Sequence, residues 1–449
     1  MLNSFVHFLI YCSFFLLLQI GFILQLSVSI EEILSMTLLL SLVALIIPPR
    51  KRRLYFYGLS LSCFIPNLIF VETYVLLRMP LKVEHIVSAL LSNSSEIYEF
   101  LSLSVLWKIV LGAIPALLSL VCVKFLPYKN NFYKIKKALF LGVICLGLLF
   151  EGSFFLYAYN IYVQCKNLLS SAYLDFKIEQ EHVSVGSVKD LDTHSNQKTY
   201  IVIISDSVGR EYLSLYGGKY NTTPFLDQIK NQLYVFDNVT TRYDVTYKVM
   251  EKMLSFSEND KDENLIFEMP ILLDIYKKAG FKIYWLSSFP QISKRNKFSY
   301  LIDAAEETFF RKKYEHYSSD EILFTPLKRA LEDEVKQKII FMHLQGSHLE
   351  YRSRYPADFG NKIYELTKLK SESGIDHRFI EYLMTIRYGD EVLRNIFSII
   401  KQYKIGSAFV LYFSDHAEDV DLYGKASFCH GSLDKKEVLE IPFVLWLSE

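Results

Sequence analysis

The chain has 449 residues, 51% of them hydrophobic, and its 49 basic residues are balanced by 49 acidic ones. A net charge of zero gives no field to hold a polyanion, so no nucleic-acid partner is expected. Six cysteines spread over this length exclude a disulfide framework.

The apolar residues are unevenly placed. Residues 1–160 hold five long apolar runs, at roughly 5–28, 33–49, 54–77, 103–126 and 138–160. Each approaches or exceeds the ~20 residues that cross a bilayer as helix. Too few charges interrupt them for buried helices of a soluble core. The first run is also too long for a removable signal peptide, and it lacks a basic start and a small-residue cleavage site. The sequence therefore predicts a five-helix transmembrane domain over 1–160, with an amphipathic segment at 80–101 on the outer side. Lys and Arg set the orientation. The second connection contains Arg50, Lys51, Arg52 and Arg53, and the fourth contains Lys129, Lys134, Lys136 and Lys137, whereas the first has Glu31 and Glu32. The N-terminus then lies inside, and five spans export everything after Asn160.

Cys12, Cys63, Cys122 and Cys145 fall within the runs, where they pack as small apolar residues. Only Cys165 and Cys429 are exported, and their pairing is left open. Glu151 lies in the fifth run, either as a functional carboxylate at membrane depth or as a solvated group near the outer interface.

A polar linker over 161–197 follows; Leu168, Leu169, Tyr173 and Leu174 at its start suit a membrane surface. From 198 onward apolar strands alternate with helical patterns, which predicts an α/β domain over 198–449. Strands are expected at Tyr200–Ser205, Tyr234–Val239, Lys282–Leu286, Lys338–His343, Ala408–Phe413 and Ile441–Leu447. Helices are expected at Thr223–Asn231, Tyr247–Leu254, Pro270–Ala279 and Asp376–Lys401. Near-continuous apolar strands argue for a mostly parallel sheet sandwiched by helices.

Several strand ends carry polar residues. The first strand runs into Asp206, the fourth into Gly346-Ser347-His348, and the fifth into Ser414-Asp415-His416, with His430 a little later. Open α/β sheets hold their chemistry at the carboxyl edge. One Asp-His pair in a loop is commonplace, but five such groups at one edge point to a site for Zn²⁺ or, less well, Mn²⁺. A hydroxyl beside a metal at a helix N-terminus makes a nucleophile. By residue type alone Thr240, Thr241 and Thr246 serve equally.

These motifs, in this order after five apolar runs, resemble the membrane-bound phosphoethanolamine transferases of Gram-negative bacteria, within the sulfatase/alkaline-phosphatase-like superfamily. The likeness covers essentially the whole chain. Ser205 to Gly217, with Asn221 to Asp227, is similar to the family's opening signature, and Asp206 falls where the family has a metal-binding Glu. The stretch Phe236 to Thr246 places Thr246 at the family's nucleophile. Arg242 and Lys252 stand where many lipid A-modifying members have cysteines, which makes the chain look more like the branch acting on lipopolysaccharide core heptose. Asp415 and His416 match metal ligands, His348 and His430 the histidines for phosphate or a second metal, and Glu418 the acid closing the Asp-His motif. His343 falls on a further family histidine, within a strand. Ser92, Asn93 and Glu96 resemble the segment that binds the ethanolamine end of the donor, and Ser288 with Lys294 the site for its phosphate.

The resemblance implies a two-step reaction. Thr246 takes phosphoethanolamine from phosphatidylethanolamine, and the phosphothreonine then passes it to lipopolysaccharide, at core heptose or lipid A, or to another glycan. It implies one Zn²⁺ or two, a monomer embedded in the bacterial inner membrane by several spans, and a catalytic domain in the periplasm. Other readings are a glycerol-phosphate transferase of the lipoteichoic-acid-synthase type and an inactive membrane-anchored lipopolysaccharide-binding protein. Relatives usually continue beyond the apolar strand that closes this chain, so one reading is of a truncated product lacking a final helix, and it is left open.

Overall fold

A computed structural model describes residues 197–256, 269–290, 297–312, 319–359, 366, 374–421, 423 and 435–448. Nearer the N-terminus it describes 10–14, 37, 40, 41, 44, 47, 48, 51–58, 60, 118 and 121–125. The chain divides into two compact units, Met1–Leu90 with Phe100–Asn167, and Leu91–Glu99 with Leu168–Glu449.

In the first unit, helical residues 10–14 and 51–58 meet through aromatic rings. Phe56 lies 5.1 Å from both Tyr11 and Phe14. Arg52 is buried, and its Nε donates to the Ile47 carbonyl at 2.9 Å. No helix among the described residues is long and apolar enough to cross a membrane. Most of the five predicted runs, together with Glu151, Cys165 and Cys429, lies outside them.

The second unit is built on one seven-stranded sheet. Its strands are β1 Lys198–Ser205, β2 Leu233–Val235, β3 Lys282–Pro290, β4 Glu307–Arg311, β5 Gln337–His343, β6 Ser407–Ser414 and β7 Phe443–Leu447, ordered β2-β7-β6-β1-β5-β3-β4. The sheet is mostly parallel, with one reversed strand that makes it mixed. β6, β1, β5, β3 and β4 run parallel, but β7 is antiparallel to both β6 and β2. The apolar runs reveal burial on both faces, and burial does not specify strand direction.

β1 alternates between two cores, as a period of two requires. Ile201 and Ile203 face one core, whereas Val202 and Ile204 face the other. The first core is covered by α1 (Pro224–Gln228), α5 (Phe324–Glu332) and the long α6 (His377–Ile400). The second is covered by α2 (Thr246–Leu254), α3 (Leu272–Lys278) and α4 (Lys297–Ile302). Asp376 caps α6 by accepting from the Arg378 amide at 2.9 Å. The expected helix over Thr223–Asn231 is shorter: α1 ends at Gln228, and a 3-10 turn at Lys230–Gln232 leads into β2.

Register places the chemistry. Ser205 pairs with Ser414, Ile204 with both Phe413 and His343, and His343 with Ser287. The parallel strands β6, β1 and β5 thus end level, β3 runs on to Pro290, and the residues around these ends share one edge.

Candidate metal centre

Asp206 follows β1 directly and Asp415 follows β6, so level strand ends set the two carboxylates side by side. With His416 they form a buried group whose donor atoms all lie within 4.8 Å of one another. His416 Nε2 is 3.8 Å from Asp206 Oδ1 and 3.6 Å from Asp415 Oδ2. Its Nδ1 sits 2.9 Å from the Ala417 carbonyl. A carbonyl only accepts, so Nδ1 carries a proton and Nε2 is the nitrogen turned toward the acids.

Thr246 opens α2, and its side chain does not cap the helix. Its hydroxyl donates to Asp206 Oδ2 at 3.3 Å and lies 3.4 Å from His416 Nε2. Thr240 instead bridges to Glu440, and the Thr241 amide donates to Leu439. Of the three threonines, Thr246 is the one whose hydroxyl is hydrogen-bonded into the acidic group.

The backbone around Asp206 is tightly constrained. Ser207 adopts φ 60, the left-handed region that costs a non-glycine residue of order 1–3 kcal/mol. Its hydroxyl donates to Asp206 Oδ1 at 2.8 Å. The Val208 amide donates to Ser414 Oγ at 2.9 Å. Gly346 approaches so closely that a Cβ there would lie 2.4 Å from Ser205 Oγ and 2.8 Å from the Asp206 nitrogen. With φ +51 as well, only glycine fits.

Electrostatics divides the two acids. Burial, followed by the neighbouring charge of Asp206, pushes Asp415 up to about 7. Burial works against ionisation of Asp206 too, but His348, His416 and His343, with the Ser207 hydroxyl, hold it below its ordinary value. Asp415 Oδ2 is buried without a hydrogen-bond partner. Two abutting carboxylates, one of them left unsatisfied, form a site that a cation completes. Two carboxylate oxygens, an imidazole nitrogen and a hydroxyl suit Zn²⁺ or Mn²⁺. The residues present therefore fit a divalent metal.

The other expected site residues divide into those near this group and those outside the described residues. His348 is half-buried, its ring centroid 5.7 Å from that of Phe289, and its charge acts on Asp206. Ser288 is drawn into the fold. Fully buried, its hydroxyl donates to Asp320 at 2.6 Å and accepts from the Gln345 amide at 2.9 Å, which leaves it poorly placed to hold a phosphate. His343 stacks on Phe289 at 4.6 Å, and burial lowers it to about 4. Glu418 is buried two residues beyond His416. His430, Lys294, Ser92, Asn93 and Glu96 lie outside the described residues.

Three residues with no sequence signal also shape the site. Asp320, Tyr382 and Thr385 bond to the loops that follow β1 and β5 from positions remote in sequence. Nothing in a helical apolar stretch separates Tyr382 from an ordinary core tyrosine.

The sequence profile of the sulfatase family matches residues 198–449. The phosphoethanolamine transferase EptC of Escherichia coli strain RS218 is 29% identical over 275 residues, covering 58% of this chain and 46% of that protein. The chain spans about half the length of the curated relatives it matches first. The periplasmic domain of EptC from Escherichia coli, solved in complex with Zn, is 26% identical with a TM-score of 0.52, covering 58% of this chain and 75% of that one. The integral membrane protein lipooligosaccharide phosphoethanolamine transferase A of Neisseria meningitidis shares the fold. It is 18% identical with a TM-score of 0.63, over 93% of this chain and 81% of that one.

Proposed function

The chain belongs to the sulfatase family, and from that premise we propose that it is a metal-dependent transferase moving phosphoethanolamine from phosphatidylethanolamine to a lipopolysaccharide acceptor, core heptose or lipid A. One observation carries the reading: the Thr246 hydroxyl lies 3.3 Å from Asp206 and 3.4 Å from His416, inside a buried acid–imidazole group. The names of the relatives supply the transferred group.

Asp206, Asp415, His416 and Thr246 would hold the metal, which supplies Lewis acidity that lowers the hydroxyl's pKa and offsets phosphoryl charge. Thr246 Oγ1 is the attacking atom. The hydroxyl proton, which already points at Asp206 Oδ2, is lost on attack and is taken up by the diacylglycerol oxygen as it leaves. The bond from phosphorus to diacylglycerol breaks, diacylglycerol leaves, and phosphoethanolamine stays on Thr246. An acceptor hydroxyl or phosphate then displaces it and restores the threonine. His416, its Nδ1 proton fixed on Ala417, keeps its Nε2 turned inward throughout. His348, whose charge acts on Asp206, serves the phosphoryl oxygens, with His430 as its proposed companion. Ser92, Asn93 and Glu96 remain the proposed ethanolamine contacts, with Lys294 for the phosphate.

The five apolar runs support a site held at the periplasmic face of the inner membrane, where both lipids lie. The test reconstitutes the full chain with fluorescent phosphatidylethanolamine and lipopolysaccharide. Released diacylglycerol, and lipopolysaccharide heavier by one phosphoethanolamine, are expected. Thr246→Ala should lower turnover by on the order of a thousandfold or more. Turnover of phosphatidylglycerol instead, or a Thr246→Ala protein that still forms the phosphorylated intermediate, would overturn the reading.

A further inference from the structure

The two loops that carry Asp206 and His348 are both fastened to one helix far away in sequence. On α6, the fully buried Tyr382 directs its hydroxyl into the turn after Asp206. There it donates to the Ser207 carbonyl at 2.8 Å and accepts from the Gly209 amide at 2.8 Å. Those two bonds bracket Val208 and fix the carbonyl of Ser207, the residue held in the left-handed region. Three residues on, and so on the same side of the helix, Thr385 donates its one hydroxyl proton to the Tyr382 carbonyl at 2.6 Å and accepts from Ser347 Oγ at 2.7 Å. Ser347 is the residue before His348, and its amide donates to the Asp206 carbonyl at 2.8 Å. A closed circuit results: Tyr382 to Ser207, Asp206 to Ser347, Ser347 to Thr385.

We propose that Tyr382 and Thr385 are positioning residues that lock Asp206 in its ligating orientation and set the His348 loop against it. Packing alone does not account for them. The Tyr382 ring already meets Tyr212 at 5.3 Å and Tyr351 at 5.2 Å, so a phenylalanine would fill the same space. What the hydroxyl adds is a two-point hold on a strained turn whose first residue is a carboxylate of the metal centre. Without that hold Ser207 can leave the left-handed region, which is favourable for a non-glycine residue, and carry the Asp206 backbone with it. Groups that orient metal ligands commonly change affinity by about 10–100-fold when removed.

The inference rests on the metal reading above, and its test separates the two. Zinc affinity of the full chain is measured by chelator competition, beside the melting temperature of the metal-free protein. Tyr382→Phe should weaken zinc by about tenfold or more. Thr385→Val should weaken it by a smaller factor, and Thr385→Ser, which keeps the hydroxyl, should restore wild-type affinity. A role in folding alone predicts a lower melting temperature with unchanged affinity, and that result overturns the proposal. Should Tyr382→Phe fail to fold, the Thr385 pair decides, and equal affinities for Ser and Val overturn it. Wild-type protein that binds no zinc would instead remove the metal reading itself.

Discussion

Two halves of one sheet edge bury the same kinds of residue and use them in opposite ways. Beyond β1 and β6 lie Asp206, Asp415 and His416; Ser288 near the end of β3 and His343 at the end of β5 lie with Asp320 in the other half. Asp320 is as deeply placed as Asp415, yet its carboxylate is saturated: Oδ1 accepts from Ser288 Oγ at 2.6 Å and the Gln345 amide at 2.8 Å, and Oδ2 accepts from the Gly346 amide at 3.1 Å. Asp415 has no donor on Oδ2 and a second carboxylate beside it. His343 is enclosed by Phe289, Trp285 and Phe298, whereas His416 faces two acids. Residue type and burial therefore do not separate a reactive site from a scaffold. Between the two carboxylates the placing of internal donors does. Asp415 Oδ1 accepts from the His416 and Ser207 amides but Oδ2 from none, and an unsatisfied buried carboxylate oxygen destabilises the fold until a cation arrives.

The comparison predicts opposite stability changes for similar substitutions. Asp415→Asn should remove zinc binding and lower turnover by on the order of a thousandfold or more, the largest effect expected here. Yet the same change should leave the metal-free protein as stable as wild type at pH 7, or more so, since it removes a carboxylate that burial and Asp206 disfavour. Chemical denaturation with and without zinc checks both parts. A metal-free Asp415→Asn protein several kcal/mol less stable would erase the distinction between the halves.

The two halves also differ in how much the sequence disclosed. Ser414-Asp415-His416 was legible because an apolar run announces a buried strand and its last residue marks the edge. The same logic placed Asp206 and the extents of β1, β5 and β6 to within two residues. It failed at β4, where Glu307 and Thr308 are exposed and the edge strand has no apolar run. Choosing Thr246 over Thr240 and Thr241 required the family likeness, because hydroxyl direction is a tertiary property. The scaffold half stayed hidden for a related reason. Asp320 and Tyr382 act through bonds spanning 25 and 175 residues, and no local pattern records those.

A middle-sized effect should come from the scaffold itself. Asp320→Ala leaves the Gly346 amide without its acceptor and takes one of two acceptors from both the Ser288 hydroxyl and the Gln345 amide. The expected loss is about 2–5 kcal/mol of stability, with or without zinc. Residual turnover at low temperature should exceed that of Asp415→Asn, since the ligands themselves remain. Denaturation midpoints and turnover at 10–20 °C compared across the two variants would separate a structural acid from a ligating one.

The smallest effect follows from acidification, to which the halves should respond with opposite sign. Asp415 is raised to about 7 from 3.8, so the folded metal-free protein holds that proton more tightly than the unfolded chain. Its contribution is fully present below about 4 and is lost as pH rises through 7. His343 is depressed to about 4 from 6.5 by burial. The unfolded chain then takes up the proton first, so its contribution is present above 6.5 and is lost as pH falls toward 4. Between pH 7.5 and 5.5 wild type should lose about 1–1.5 kcal/mol through His343. His343→Phe joins a wall already made of Phe289, Trp285 and Phe298, so it should fold and abolish that loss. The cleanest measurement is made on an Asp415→Asn background, where the opposing titration is gone. If the acid slope persists there after His343→Phe, the imidazole is not the group that titrates, and His343 would have to be moved from the scaffold half toward the reactive one.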